Sequence, residues 1–301
     1  MLLYRGGLST SLNIKPFNGF TFANNTTYKL GGKAKLCFFP QNICQVETAL
    51  KLCKGAGYNT FIIGNGSNVL ASDLGFEGAV ISTKKLSGII SLKNNRLFCL
   101  AGTPISRLLN YCKIHRLSGV EYLVNIPATV GGAAYMNAGA AGKYIGNNIQ
   151  KVLVYTDKKV YFNNNQCNFS YKHSTMRDIN CIILAVVLQL EAKSTAEVEA
   201  NLKYYSSLRC HLPKGRSCGC VFKNGNGYFA GELIEKAGLK GIRCGNAVVS
   251  PQHANFIMSE GSSADDVKRL IELVKYVVML KFGVELEEEV VYIGDFNETY
   301  R

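Results

Sequence analysis

The sequence predicts a folded protein that mixes α-helices with β-strands and divides into two or three domains. Its 301 residues are enough for several units with cores of their own. Hydrophobic residues make up 47% of the chain and charged residues 18%, which is typical of a globular protein rather than a disordered one. Apolar stretches of strand length alternate with stretches of helical periodicity along the chain, which indicates a mixed fold.

Composition narrows the setting and the partners. No run of ~18 apolar residues is present, so no membrane span is expected, and the N-terminal apolar segment is too short for a signal peptide. Eleven cysteines without a signal sequence indicate reduced thiols in a cytoplasm. The formal charge is +13, but the basic residues are scattered and match no nucleic-acid motif. We therefore expect anionic small ligands rather than nucleic acid, although a generally lysine-rich proteome explains the charge equally well.

Strands and helices can be assigned in order along the chain from apolar periodicity, capping residues and turn residues. Up to residue 190 we predict strands at 35–39, 59–63, 69–70, 78–82, 151–160 and 181–190, a helix from the N-cap Asn42, a hairpin at 89–101 with a two-residue turn at Asn94-Asn95, and a helix capped by Thr103. Beyond a charged segment at 191–206, where a domain boundary is placed, we predict a short helix at 232–237, strands at 247–249 and 256–257, a long helix capped by Ser262 or Ser263, and a last strand at 286–294.

One stretch, residues 126–142, is built almost entirely from glycine, alanine and other small residues. Glycine permits positive φ and lets the main chain approach a neighbour closely. This composition predicts a loop pressed against a flat, rigid object, and a large planar cofactor carrying phosphates fits that description. Tight packing of helices and a membrane segment of the small-xxx-small kind are the alternatives.

A second glycine-rich segment, residues 64–68, directly follows a predicted strand. The letters GNGSN present several main-chain N–H groups together, which is typical of an anion-binding nest. The segment matches neither the Walker loop nor the dinucleotide fingerprint. An ordinary hairpin turn remains the alternative.

These segments and several later ones occur in an order that resembles the UDP-N-acetylenolpyruvoylglucosamine reductase (MurB) family. The resemblance covers nearly the whole chain, and it is the ordered set of blocks rather than any one of them that is specific. The blocks are NTTYKLGGKAK, GNGSNVLASDLGFEGAVIS, GVEYLVNIPATVGGAAYMNAGAAG, YKHS, SCGCVFKN, AGELIEKAGLKG, HANFIMS and LEEEVVYIG.

The resemblance implies an α+β fold with a two-part FAD-binding unit of the vanillyl-alcohol-oxidase (PCMH-like) type and a C-terminal α/β substrate domain. The expected boundaries are 1–86 and 87–195 for the two FAD-binding subdomains, 196–289 for the substrate domain and 290–301 for a C-terminal strand and tail. The modest length suggests the subtype without an extra loop over the substrate. The family is cytoplasmic, and a monomer or weak oligomer is expected.

The resemblance also implies an activity. In the family NADPH reduces a non-covalently bound FAD, which then reduces UDP-N-acetylenolpyruvoylglucosamine to UDP-N-acetylmuramate, a precursor of bacterial peptidoglycan. The UDP-sugar and NADPH would use one site in turn. No metal is expected.

Three residues match the family's catalytic positions. Cys220 matches the proton donor, and a thiol with an ordinary pKa near ~8.5 is a plausible acid. Lys172 stands where the family has an arginine that stabilises the enolate; it keeps the charge and loses the planar fork. Glu289 matches the carboxyl group. The alternatives are a small buried residue at Cys220, an exposed lysine, a solvated strand end, and a zinc site made of Cys210, His211, Cys218 and Cys220.

Binding residues follow from the same resemblance. Those implied for FAD are Gly64, Asn65, Gly66, Ser67, Asn68, Ile126, Pro127, Ala128, Thr129, Gly131, Gly132, Asn137 and Ala138. Those implied for the substrate are Tyr171, Lys223, Asn224 and His253, of which His253 is equally well explained as a structural histidine. Asn125 and Ala128 stand where the family usually has glycine, so the methyl of Ala128 could tighten or strain the flavin pocket.

Two other functions are compatible with parts of the sequence. A flavin oxidase of the same superfamily acting on another sugar or a hydroxy acid would explain the first half. Such oxidases often attach FAD through a histidine in the glycine loop, and residues 64–68 contain none. A non-catalytic flavin-binding relative would explain Lys172.

Overall fold

The computed structural model describes residues 13–261 and 263–296. Residues 1–12, 262 and 297–301, which include the alternative cap Ser262 and most of the predicted C-terminal tail, lie outside the described residues. Within the described part of the chain, no helix is both long and apolar enough to cross a membrane. All eleven cysteines are described, and each is a free thiol.

The first unit is a small parallel sheet with strand order β1-β4-β2. Asn42 caps its long helix as predicted, because the side chain accepts a hydrogen bond from the N–H of Gln45 at 2.9 Å. The elements are α1 Phe22–Asn25, β1 Ala34–Phe38, α2 Ile43–Gly55, β2 Thr60–Ile63, β3 Val69–Ala71 and β4 Phe76–Ser82.

The second unit is an antiparallel sheet with strand order β11-β10-β12-β6-β5. Its central strand β12 is buried along almost its whole length, so the middle of the sheet is covered on both faces. The elements are β5 Ile89–Leu92, β6 Arg96–Leu100, α3 Ile105–Ile114, β7 Leu117–Ser118, α4 Val130–Tyr135, β8 Gly139–Ala140, β9 Lys143–Tyr144, β10 Ile149–Tyr155, β11 Lys159–Asn163, α5 Asn164–Cys167, β12 Ile182–Gln189, β13 Glu191–Ala192 and α6 Thr195–Ser207.

The third unit packs two helices against a short antiparallel sheet of order β14-β15-β16. Ser263 caps the long helix, as predicted, and accepts from the N–H of Asp266 at 3.1 Å, and Gly283 ends the helix in the left-handed conformation. The elements are α7 Ala230–Lys236, β14 Arg243–Cys244, β15 Ala247–Val249, β16 Ile257–Ser259, α8 Ala264–Phe282 and β17 Val291–Ile293.

The last strand does not belong to the third unit's sheet. β17 pairs in parallel with β3 of the first unit, and the N–H of Val291 donates to the carbonyl of Asn68 at 3.0 Å. The end of the described chain is therefore part of the first unit. Helix α6, which the sequence assigned to the substrate domain, packs Leu202 and Tyr205 against the core of the second unit. The domain boundaries themselves stay a prediction.

Four predicted details are wrong. Thr103 does not cap α3: its hydroxyl donates to the carbonyl of Gly88 at 3.0 Å, and the helix starts after Pro104. The predicted strand at 151–160 is two strands, β10 and β11, joined by a turn. The hairpin between β5 and β6 has a three-residue loop, in which Asn94 and Asn95 both have positive φ. Residues 286–290 are irregular, so only the end of the last predicted strand forms.

Candidate active site

A cavity of about 1030 Å³ opens where the three units meet. This volume is at the upper end of the ~300–1,000 Å³ usual for ligand sites, which leaves room for more than one small ligand. The walls come from the segment after β2, the start of α4, the chain between α6 and Cys220, and the two side chains Lys172 and Glu289.

The segment Gly64–Asn68 forms one wall with its main chain. Gly66 has a φ of +65°, and a Cβ there would lie 2.8 Å from the carbonyl oxygen of Asn25, so only glycine fits. A Cβ on Gly64 would likewise lie 2.6 Å from Oγ1 of Thr129. The hairpin alternative is wrong, because β2 pairs with β4 and β3 pairs with β17, both in parallel.

The small-residue stretch is partly helical, which corrects the predicted loop. Thr129 caps α4 by accepting from the N–H of Gly132 at 3.2 Å. A Cβ on Gly131 would lie 2.7 Å from that of Ala101, so the small residues let the helix press on the neighbouring sheet. Of the alternatives considered, tight packing is realised here, although against a sheet instead of another helix.

Most of the predicted cofactor residues of this stretch face the cavity, and one does not. The residues that line it are Ile126, Pro127, Ala128, Thr129, Gly131, Gly132 and Ala138. Asn137 is buried elsewhere. Its side-chain amide donates to the carbonyl of Ser170 at 2.7 Å and accepts from the N–H of Gly146 at 3.0 Å. Asn137 therefore joins two loops.

The two departures from the family's glycines are accommodated in different ways. Asn125 has a φ of +62°, a conformation that asparagine tolerates better than most residues, and its side chain donates to Ser206 at 3.1 Å. Ala128 has no positive φ. Its methyl lies on the cavity wall, and its carbonyl accepts from Ile105 at 3.0 Å, so no backbone strain follows from the substitution.

The three predicted catalytic residues line the same cavity although they are far apart in sequence. Nζ of Lys172 lies 2.8 Å from Oε1 of Glu289. Cys220 forms a β-bridge with Phe256, and the N–H of Glu289 donates to the carbonyl of Val221 at 2.7 Å, so the thiol and the carboxylate lie on adjoining backbone. The alternatives of an exposed lysine and a solvated carboxylate are wrong, because both side chains are largely buried.

Burial and pairing set the charges in the site. Burial pulls the pKa of Lys172 down, but the paired Glu289 carboxylate raises it overall, so the ammonium is retained. Burial raises the pKa of the Cys220 thiol to about 11; Glu289 adds to this rise, and Lys172 opposes it. The thiol is therefore a weaker acid than the sequence suggested, and it stays protonated at neutral pH.

Arg209 is a site residue that the sequence analysis missed. It lines the cavity, and its Nε is buried without a hydrogen-bond partner. Burial lowers the pKa of Arg209, and Cys220 is the group whose charge opposes that shift. The stretch around Arg209 carries no motif, so the available signal was only a basic residue shortly before the SCGC block.

The predicted substrate residues lie outside this cavity. Tyr171, Lys223 and Asn224 form a group of their own, in which the N–H of Asn224 donates to the Tyr171 hydroxyl at 3.2 Å. Lys223 forms an ion pair with Glu287. His253 accepts from the N–H of Asn255 at 3.3 Å and packs against Phe256, which agrees with the structural alternative.

The zinc alternative finds no support in residues 13–261 and 263–296. Within these ranges no three histidine, cysteine, aspartate or glutamate side chains are arranged to hold a metal ion. Cys218 is instead buried, and burial raises the pKa of its thiol to about 12.

Comparison with known proteins agrees with this architecture. The family described as the UDP-N-acetylenolpyruvoylglucosamine reductase C-terminal domain matches residues 211–293, and the FAD binding domain family matches residues 34–159. The UDP-N-acetylenolpyruvoylglucosamine reductase of Caldicellulosiruptor saccharolyticus is 39% identical over 95% of this chain and 94% of its own. The chain belongs to the UDP-N-acetylenolpyruvoylglucosamine reductase family.

Other relatives extend the same result. UDP-N-acetylenolpyruvoylglucosamine reductase 1 of Bacillus cereus is 36% identical over 90% of this chain and 92% of its own. The crystal structure of the reductase (MurB) from Thermus caldophilus superposes with a TM-score of 0.80 at 29% identity, covering 94% of this chain and 99% of that one. The predicted fold class, an FAD-binding unit followed by the family's C-terminal domain, is thereby confirmed.

Proposed function

We propose that this protein catalyses the NADPH-dependent reduction of UDP-N-acetylenolpyruvoylglucosamine to UDP-N-acetylmuramate through bound FAD, a step of peptidoglycan precursor synthesis. The observation that carries the proposal is the meeting of Cys220, Lys172 and Glu289 at a cavity that is also lined by glycine-rich main chain. Membership of the reductase family supports the same conclusion.

The residues present fit FAD. Glycines at 64 and 66 leave no room for a Cβ and turn main chain toward the cavity, which suits a phosphate-bearing ligand held by N–H groups. We assign Gly64–Asn68 to the FAD pyrophosphate, and Ile126–Thr129 with Gly131, Gly132 and Ala138 to the flavin. When bound, FAD supplies the hydride that NADPH has given it. Residues 64–68 contain no histidine for covalent attachment, which supports non-covalent binding.

The side chains on the other wall supply the proton and the charges. Reduction of the enolpyruvyl double bond adds a hydride to C3 and a proton to C2, and the thiol of Cys220 holds that proton because burial keeps it un-ionised. The Lys172 ammonium stabilises negative charge that develops on the enolate. Glu289 holds Lys172 in place at 2.8 Å.

Arg209 gives the site a positive charge. No carboxylate among the described residues neutralises it. Glu289 is already paired with Lys172, whereas the enolpyruvyl group carries its own carboxylate. An arginine beside the thiol is suited to bind that carboxylate in a bidentate manner. We assign Tyr171, Lys223 and Asn224 to the UDP-sugar beyond the cavity.

The proposal is tested by turnover with the isolated protein. The purified protein should carry or take up FAD, NADPH should bleach the flavin absorbance without oxygen, and the enolpyruvyl sugar nucleotide should restore it with formation of UDP-N-acetylmuramate. Flavin that NADPH reduces but that this substrate leaves reduced would refute the proposal. A preparation that refuses FAD would refute it at an earlier step.

A further inference from the structure

We propose that the side chain of Asn68 positions Glu289, so that the loop assigned to the FAD pyrophosphate also fixes the carboxyl group that pairs with Lys172. This inference rests on the proposed function and deepens it. Asn68 is then a positioning residue, and its contribution to phosphate binding comes from the main chain alone.

Two hydrogen bonds join Asn68 to the segment that carries Glu289. The side-chain amide Nδ2 donates to the carbonyl oxygen of Glu289 at 2.9 Å, and the carbonyl of Asn68 accepts from the N–H of Val291 at 3.0 Å. The two bonds lie on either side of Val290, the residue that follows Glu289. The link joins residues 221 positions apart, so local sequence does not impose it.

The amide group has no freedom to serve elsewhere. A carbonyl oxygen only accepts hydrogen bonds, so the NH₂ end of the side chain must face Glu289. The same nitrogen lies 3.7 Å from the sulfur of Met136, which accepts its second N–H. An aspartate of the same shape could not make the bond, because a carboxylate has no proton to donate at neutral pH.

Glu289 depends on this bond because its own backbone is irregular. Residues 286–290 are not part of a regular strand: one isolated bridge joins Glu288 to Phe222, and continuous pairing resumes at Val291. The N–H of Glu289 is held by Val221 at 2.7 Å, next to Cys220. Its carbonyl is held by Asn68 alone of the described side chains. Without that second anchor the peptide can rotate, and the carboxylate then leaves Nζ of Lys172.

The inference is tested with Asn68→Ala and Asn68→Asp, and with Asn164→Ala as the matched control. Asn164 also donates its side-chain amide to main-chain carbonyls, at 2.8 Å and 2.7 Å, but it does not line the cavity. The control therefore removes the same kind of bond and reports any general loss of stability. Each variant is measured at saturating FAD in the two half-reactions separately.

We expect both Asn68 variants to slow reoxidation of the reduced flavin by the sugar nucleotide about 10- to 100-fold, since displacement by ~1 Å costs about that much. Reduction by NADPH should match the parent. FAD affinity should change less than about threefold, because the main-chain N–H groups remain. Asn164→Ala should leave both half-reactions unchanged.

Two results would overturn the inference. One is weakened FAD binding with a normal substrate half-reaction once FAD is saturating, which would make the Asn68 amide a cofactor ligand. The other is a crystal structure of Asn68→Ala in which Nζ of Lys172 still lies within ~3.5 Å of the Glu289 carboxylate. The crystal structure of Asn68→Ala tests the inference even if the parent protein shows no turnover. Absence of turnover in the parent would count against the proposed function instead.

Discussion

The two walls of the cavity differ in which part of the residues forms them. One wall is glycine-rich main chain, in which Gly64, Gly66 and Gly131 are close to their neighbours. The other wall is side chains: Cys220, Lys172, Glu289 and Arg209 come from separate segments. The first wall tolerates no added atom at its tightest points. The second depends on the charges of its side chains and on the interactions that hold them in place.

The difference predicts how each wall responds to change. Substitutions in the main-chain wall should act through cofactor binding and stability. Substitutions in the side-chain wall should leave the flavin in place and alter the reduction of substrate. Measuring the two half-reactions and FAD binding separately distinguishes loss of the cofactor from slower reduction of the substrate.

The largest effect is expected for Cys220→Ala. Loss of the proposed proton donor should slow the substrate half-reaction by ~10²–10⁴-fold while NADPH still reduces the flavin, because only the second step consumes that proton. Cys44→Ala, which removes an exposed thiol from α2, is the control. Stopped-flow absorbance of the flavin measures both steps, and equal rates in Cys220→Ala and the parent would remove Cys220 from the mechanism.

Gly66→Ala should damage the main-chain wall, and Gly57→Ala is its matched control. Both glycines have similar positive φ, +65° and +69°, so both substitutions carry the same strain of about 1–2 kcal/mol. Only at Gly66 would the new Cβ also meet an atom, the Asn25 carbonyl at 2.8 Å. Gly66→Ala should therefore unfold more readily and lose FAD, measured by thermal unfolding and flavin titration. Equal losses in the two variants would show that Gly66 has no special part in the wall.

The pH dependence of the substrate half-reaction should report Cys220. The thiol must be protonated to act, so the rate is full below its pKa and falls as pH rises through it. Burial raises that pKa from 9.0 to about 11, which places the alkaline limb near pH 11 instead of near 9. The measurement uses pre-reduced flavin, and in Cys220→Ser the limb should vanish. A limb near 9 in the parent would contradict a buried thiol.

The smallest effect is expected for Lys172→Arg. The position keeps its charge and gains a planar fork, so turnover should stay within about threefold of the parent or rise. Lys172 has a φ of +56°, which strains lysine and arginine alike, so the exchange adds no backbone penalty. Complete loss of turnover with FAD still bound would show that Lys172 does not face the enolate.

The main-chain wall could largely be predicted from sequence, because its features are local. Gly64–Asn68 and the run of small residues are contiguous, and glycine has few other uses at such density. The conformation of the small-residue run was not predicted, because Thr129 caps a helix where a loop was expected. Asn137 shows the limit of a local pattern, because its amide is committed to Ser170 and Gly146, which are distant partners.

The side-chain wall could be predicted only through the family resemblance. Nothing in the residues near Lys172 or Glu289 shows that they form an ion pair 117 positions apart. Arg209 was missed for the same reason, since its significance comes from what surrounds it in space. The raised pKa of Cys220 also depends on burial, which is a property of the fold.

The parallel pairing of β17 with β3 has a consequence for how the protein is made. Asn68 and Glu289 are 221 positions apart, which a ribosome covers in roughly 10–45 s at ~5–20 residues per second. During that time the nascent chain has its glycine loop but lacks the strand that anchors it. We therefore expect FAD to be captured after synthesis of the C-terminal segment, so an N-terminal fragment ending before residue 291 should be a poor flavin acceptor.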